Sequence, residues 1–136
     1  MRARSAILAA SLLLAGCSAG ADMKTAGAAV NQFHQQLDAG QFDAVYANSD
    51  PAMKAATTAP DLTNLLAAVH RKLGNTKSAS QMGINVNFGT AGEVIRTSYK
   101  TEFDNGEAIE TFTFRIDQAQ AKLVGYNINS NALILK

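Results

Sequence analysis

The chain has 136 residues, a formal charge of +1 at pH 7 and a mean hydropathy of −0.03. That length holds one ordinary domain, and the near-neutral charge excludes the basic surface on which nucleic-acid binding depends. With a single cysteine, no disulfide can form within the chain.

The N-terminal segment opens with Arg2 and Arg4, followed from Ser5 to Leu14 by an apolar run too short to span a bilayer as a final helix. It ends in Leu14-Ala15-Gly16-Cys17. This stretch resembles the lipobox of bacterial lipoproteins. The resemblance implies that residues 1–16 are a signal peptide and that a diacylglyceryl group joins the Cys17 sulfur. Cleavage falls between Gly16 and Cys17, and the new amino group is acylated. Several acyl chains make a stable membrane anchor, each buried methylene adding about 0.8 kcal/mol. Ser18 stands where an Asp would favour inner-membrane retention. The implied location is therefore the cell envelope, lipid-anchored at the outer membrane and facing the periplasm. Without the first 16 residues, 120 remain, and without Arg2 and Arg4 their formal charge is −1. No second long apolar stretch follows, so no transmembrane helix is expected.

Residues 17–21 are expected to be the lipidated cysteine and a short tether, with Ser18 to Ala21 spanning at most about 14 Å when extended. Residues 22–136 are expected to form one domain. Asp22 is a candidate N-cap, and Met23, Ala26, Val30, Phe33 and Leu37 recur at three- and four-residue steps on one helix face. Gly40 is the stop. Phe42, Val45 and Tyr46 mark a short helix, and Asp50-Pro51 starts another turn with Pro51 at its first helical position. Pro60 opens a helix whose apolar stripe is Leu62, Leu65, Leu66, Val69 and Leu73, and Gly74 ends it. His70, Arg71 and Lys72 in its last turn offset the helix dipole.

The period then changes from 3.6 to 2. Met82, Ile84, Val86 and Phe88 alternate with Gly83, Asn85 and Asn87, and Gly89 to Gly92 reads as a turn. A second strand is expected over about Glu93 to Phe103. Asp104-Asn105-Gly106 signals a tight hairpin, because Asn-Gly accepts positive φ angles. A third strand follows over about Glu107 to Ile116, then a turn from Asp117 to Gln120. A fourth strand runs from about Lys122 to Asn129, followed by a tail from Ala132 to Lys136.

Helices followed by strands in a meander predict an α+β domain, its N-terminal helices packed on one face of a curved four-stranded antiparallel sheet. The helix-turn-helix opening runs from Phe33 through His34, Asp38 and Gly40 to Phe42. Together with the closing run Lys122 to Asn129, it resembles the nuclear transport factor 2-like superfamily, which includes ketosteroid isomerase and scytalone dehydratase. A cystatin-like arrangement fits nearly as well. The resemblance implies a cone-shaped fold and, within that superfamily, isomerase- or dehydratase-like enzymes.

If the Asn-Gly hairpin places Phe103 opposite Ala108, then Thr101 faces Glu110, Tyr99 faces Phe112 and Thr97 faces Phe114. Ile84, Tyr99, Phe112 and Tyr126 would then form one row on the concave face. Tyr99 and Tyr126, with Glu110, become candidate ligand-binding residues in a pocket between helices and sheet; packing as core aromatics with satisfied hydroxyls is the simpler account of the two phenols. Glu110 is the one acid on that face. Burial would fit it for acid–base work, but its place near a hairpin end lets a carboxylate reach water, and no histidine is expected beside it. The same register sets Arg96 opposite Arg115, a like-charged pair that an anion would neutralise. His34 and His70 border different helix faces and read as packing residues. Asp38, four residues from His34, does not complete a metal set. No cofactor-cradling motif or Ser-His-Asp arrangement is present.

These features favour a non-enzymatic, lipid-anchored envelope domain binding a small apolar ligand or an envelope protein. An isomerase- or dehydratase-like enzyme using Tyr99 and Glu110 is the alternative, and a structural accessory with a filled core is the third reading.

Overall fold

The computed structural model describes residues 18–90 and 92–135. The expected signal peptide and Cys17 lie outside the described residues. The elements in chain order are α1 (Ser18–Asp38), α2 (Phe42–Ala47), α3 (Pro51–Ala56), α4 (Ala59–Leu73), β1 (Thr76–Gly89), β2 (Gly92–Phe103), β3 (Gly106–Asp117), β4 (Gln120–Asn129) and α5 (Asn131–Leu135). The four strands form one antiparallel sheet in the order β1-β2-β3-β4. The fold is α+β: helices first, then a meander.

The apolar periodicity of α1 has its expected effect along most of the helix. Ala26, Val30, Phe33 and Leu37 are buried. The start differs, because the chain is already helical at Ser18, the first described residue. Ser18 to Ala21 is therefore helical rather than an extended tether, and Asp22 lies within the helix instead of capping it. Gly40, at φ +72°, ends the helix in the left-handed region that glycine adopts without strain. There the Gln41 N–H donates to the Gln36 carbonyl at 2.8 Å.

The short helices follow their caps. The Asp50 carboxylate accepts from the Ala52 N–H at 2.9 Å, with Pro51 at the first position of α3. The Thr58 hydroxyl accepts from the Asp61 N–H and starts α4, with Pro60 in its first turn. Leu62, Leu66, Val69 and Leu73 of α4 are buried. Leu65 is 41% exposed and lies off the buried stripe.

The hairpin register corrects the sequence expectation. Asp104 and Asn105 alone form the turn, so Phe103 pairs with Gly106, Thr101 with Ala108, Tyr99 with Glu110 and Thr97 with Phe112. The expectation centred the loop one step later and gave it four residues. A two-residue difference leaves every side chain on its face while changing its partner. The inner row is therefore Ile84, Thr97, Phe112 and Tyr126, with Tyr99 displaced into the next row beside Glu110. At the β3–β4 turn, Gln118 and Ala119 take φ values of 48° and 60°, the left-handed pair that a tight hairpin uses. Phe112 and Phe114 of the inner face meet Phe33, Leu37 and Leu66 of the helix layer in one buried cluster.

Candidate functional site

At the centre of this layer the sheet presents an acid to the core. Ala108, Glu110, Phe112 and Phe114 alternate inward along β3, and Glu110 is completely buried. Three side chains from three other elements converge on its carboxylate. On α1, His34 lies four residues after Val30 and three before Leu37, a spacing that puts it on the buried helix face; its Nε2 lies 2.7 Å from Glu110 Oε1. On β2, Thr101 donates its hydroxyl to the same oxygen at 2.6 Å. On β4, Tyr126 donates to Oε2 at 2.6 Å. A carboxylate only accepts, so the proton between His34 and Glu110 belongs on Nε2 when Glu110 is ionised. The two O–H···O bonds have the short length of charge-assisted contacts.

Rings close the surroundings. Phe33 packs edge-on to Phe112 with centroids 5.0 Å apart, His34 meets Phe112 at 5.9 Å, and Phe33 meets Tyr126 at 4.7 Å. The low local dielectric of this water-excluded surround strengthens the bonds it encloses and makes any unmade one costly. The pKa of Tyr126 is pushed well above its ordinary value, first by burial, then by the Glu110 charge and the bond to it. An unfolded tyrosine titrates near pH 10. The folded one keeps its proton to higher pH, so this hydroxyl's stabilisation is whole below about pH 10 and is lost as pH rises through the folded value.

Tyr99 sits directly opposite Glu110 in register, but its hydroxyl ends against α1, 3.9 Å from where a Cβ on Gly27 would stand. Thus Glu110 and Tyr126 are brought together and Tyr99 is directed elsewhere. Arg96 is exposed and opposite Thr113, whereas Arg115 pairs across the ladder with Val94 and Lys122. The expected opposed arginines therefore do not form, for the same two-residue register reason. Arg115 Nε instead lies 3.7 Å from Asp50 Oδ2. His70 is a border residue as expected, with Nε2 3.0 Å from Asn75 Oδ1 and its ring against Phe42. Asp38 accepts from the Thr76 N–H and hydroxyl, tying the end of α1 to β1. Among the described residues, no group of three or more His, Cys, Asp or Glu is placed to hold a metal ion.

Sequence reasoning missed the His34–Glu110 contact. Its signal lay in two separate patterns, a histidine in helix register with Val30 and Leu37 and an acid in strand register with Phe112. Each buried polar group requires a partner.

Among the described residues, clefts open in several places. One of about 420 Å³ lies among Lys100, Glu107, Ile109, Asn129 and Ser130. Another of about 420 Å³ lies among Thr25, Ala28, Gln32, Asn48 and Gln120. A third of about 50 Å³ reaches Phe33, Val45, Phe114 and Leu123. Glu110, Tyr99 and Tyr126 line none of these three.

Residues 30–125 match the family described as a protein of unknown function, DUF3887, and the chain belongs to that family. His34, Thr101 and Glu110 fall inside the match. No functionally curated protein matches the chain.

Proposed function

We propose that this DUF3887 protein is a lipid-anchored domain of the bacterial envelope that engages a partner on its outer surfaces, its interior being closed by its own side chains. The observation that carries this reading is the completely buried Glu110 carboxylate, already bonded by His34, Thr101 and Tyr126. A small ligand in that interior would displace three donors and leave them without acceptors, a cost of about 1–3 kcal/mol for each unmet group. An isomerase- or dehydratase-like enzyme needs its acid or base within reach of a substrate proton, and the sealed carboxylate argues against that role for Glu110. The helix-then-meander order supports kinship with nuclear transport factor 2-like or cystatin-like domains at the level of fold.

The anchor half of the proposal rests on the apolar run Ser5 to Leu14 and on Leu14-Ala15-Gly16-Cys17. No described helix is long and apolar enough to cross a membrane; in this reading acyl groups on Cys17 supply the attachment, and Ser18 favours the outer membrane. Cys17→Ser is expected to move the chain from the membrane fraction to the soluble fraction, and mass spectrometry of the mature N-terminus should find an acylated Cys17. An unmodified Cys17, or a mature terminus elsewhere, refutes the anchor.

A further inference from the structure

The chain enters its domain at one corner. Ser18, the residue after Cys17 and the first one described, already lies in α1. Met23 then lies about 8 Å along the helix axis, at 1.5 Å per residue. The Asp22 carboxyl lies beside Glu93, whose pKa is raised first by burial and then by that neighbour. Glu93 is the cross-strand partner of Phe88. The start of α1 and the β1–β2 hairpin therefore share one end of the molecule.

Apolar side chains are uncovered at that end. Met23 continues the buried stripe of Ala26 and Val30 but is 38% exposed. On β1, Ile84, Val86 and Phe88 share the inner face, since Ile84 pairs with Thr97 and Val86 with Ile95, both buried there. Val86 packs against the core, whereas Ile84 is 37% and Phe88 72% exposed. The helix layer stops before it covers the outermost strand. β1 is also an edge strand, and an exposed apolar edge is a liability unless something occupies it.

We infer that this corner, Met23 with Ile84 and Phe88, is a membrane-contact surface that seats the domain on the lipid layer holding its anchor. The inference rests on the lipid-anchor reading of Cys17 and adds an orientation to it. A flexible tether would let the domain turn freely beneath its anchor. Helical backbone from Ser18 onward leaves no such tether, and it brings Met23 within the 5–10 Å depth over which interfacial side chains enter the headgroup and acyl boundary. Phe88 is an aromatic of the kind that enters that boundary. Lys24, exposed beside Met23, is suited to anionic headgroups.

The chain contains no tryptophan, so a single introduced one reports its own surroundings. Phe88→Trp and Leu135→Trp are made in the full lipidated chain and reconstituted into phosphatidylethanolamine–phosphatidylglycerol vesicles, with and without brominated acyl chains. Leu135 is exposed on α5, which packs beside the β2–β3 hairpin at the opposite end of the sheet. Co-sedimentation with the vesicles is measured in parallel. The inference expects a blue-shifted Phe88→Trp emission, quenched at least twofold by brominated lipid, and a Leu135→Trp emission that does not change. Co-sedimentation with neither tryptophan quenched, or with both quenched alike, overturns the seating surface and leaves the anchor standing. A Phe88→Trp blue shift that depends on protein concentration and not on lipid assigns the corner to a second copy of the chain and also overturns it. Failure of the chain to co-sediment removes the anchor and this inference with it.

Discussion

His34→Ala is expected to destabilise the domain by about 1–3 kcal/mol, the cost of leaving a buried polar group without its hydrogen-bond partner. The substitution withdraws the donor 2.7 Å from Glu110 Oε1 and leaves a buried carboxylate supported only by Thr101 and Tyr126. It also empties space between Phe33 and Phe112, whose rings both meet the imidazole. His70→Ala is the matched control. It removes an exposed bond to Asn75 and should cost less than about 1 kcal/mol. Urea unfolding of the chain from Ser18 compares the two. Equal, small effects would mean that His34 is not a necessary support of Glu110.

Leu66→Ala should cost about 2–5 kcal/mol, the transfer term for the lost side chain plus the cavity left behind. Leu66 is completely buried on the α4 face that meets the sheet. Thr63→Ala and Leu65→Ala, on the same helix but off the buried stripe, should each cost less than about 1 kcal/mol. The same unfolding measurement decides it. Similar losses for Leu65 and Leu66 would mean that α4 is rotated from the orientation described.

Local chemistry made the helices and strands legible. Asp50-Pro51, Gly40 and Gly74 act at the positions their chemistry suits, and the change from period 3.6 to period 2 falls where helices give way to sheet. Periodicity identifies a face but not how far the opposing layer extends. That is why Met23, Leu65 and Ile84 were expected in the core and lie at its margin. An Asn-Gly pair accommodates two loop frames, and only the paired strands choose between them. The choice sets Tyr99 opposite Glu110 rather than Phe112, and Arg96 opposite Thr113 rather than Arg115. The His34–Glu110 contact joins residues 76 positions apart. No local pattern encodes it, although the helix register of His34 and the strand register of Glu110 were each readable alone.

The central claim, a core closed around Glu110, is tested most directly by Tyr126→Phe. The substitution keeps the ring and removes only the hydroxyl that donates to Glu110 Oε2. The paired measurement is unfolding free energy as a function of pH, together with binding of an apolar fluorescent probe to the wild-type domain. The expected result is a loss of about 1–3 kcal/mol at neutral pH, a weaker alkaline fall in stability above about pH 10 than in the wild type, and no probe binding. Unchanged stability in Tyr126→Phe, with probe bound by the wild type and lost from the variant, would contradict it and place an open, ligand-facing hydroxyl in the interior.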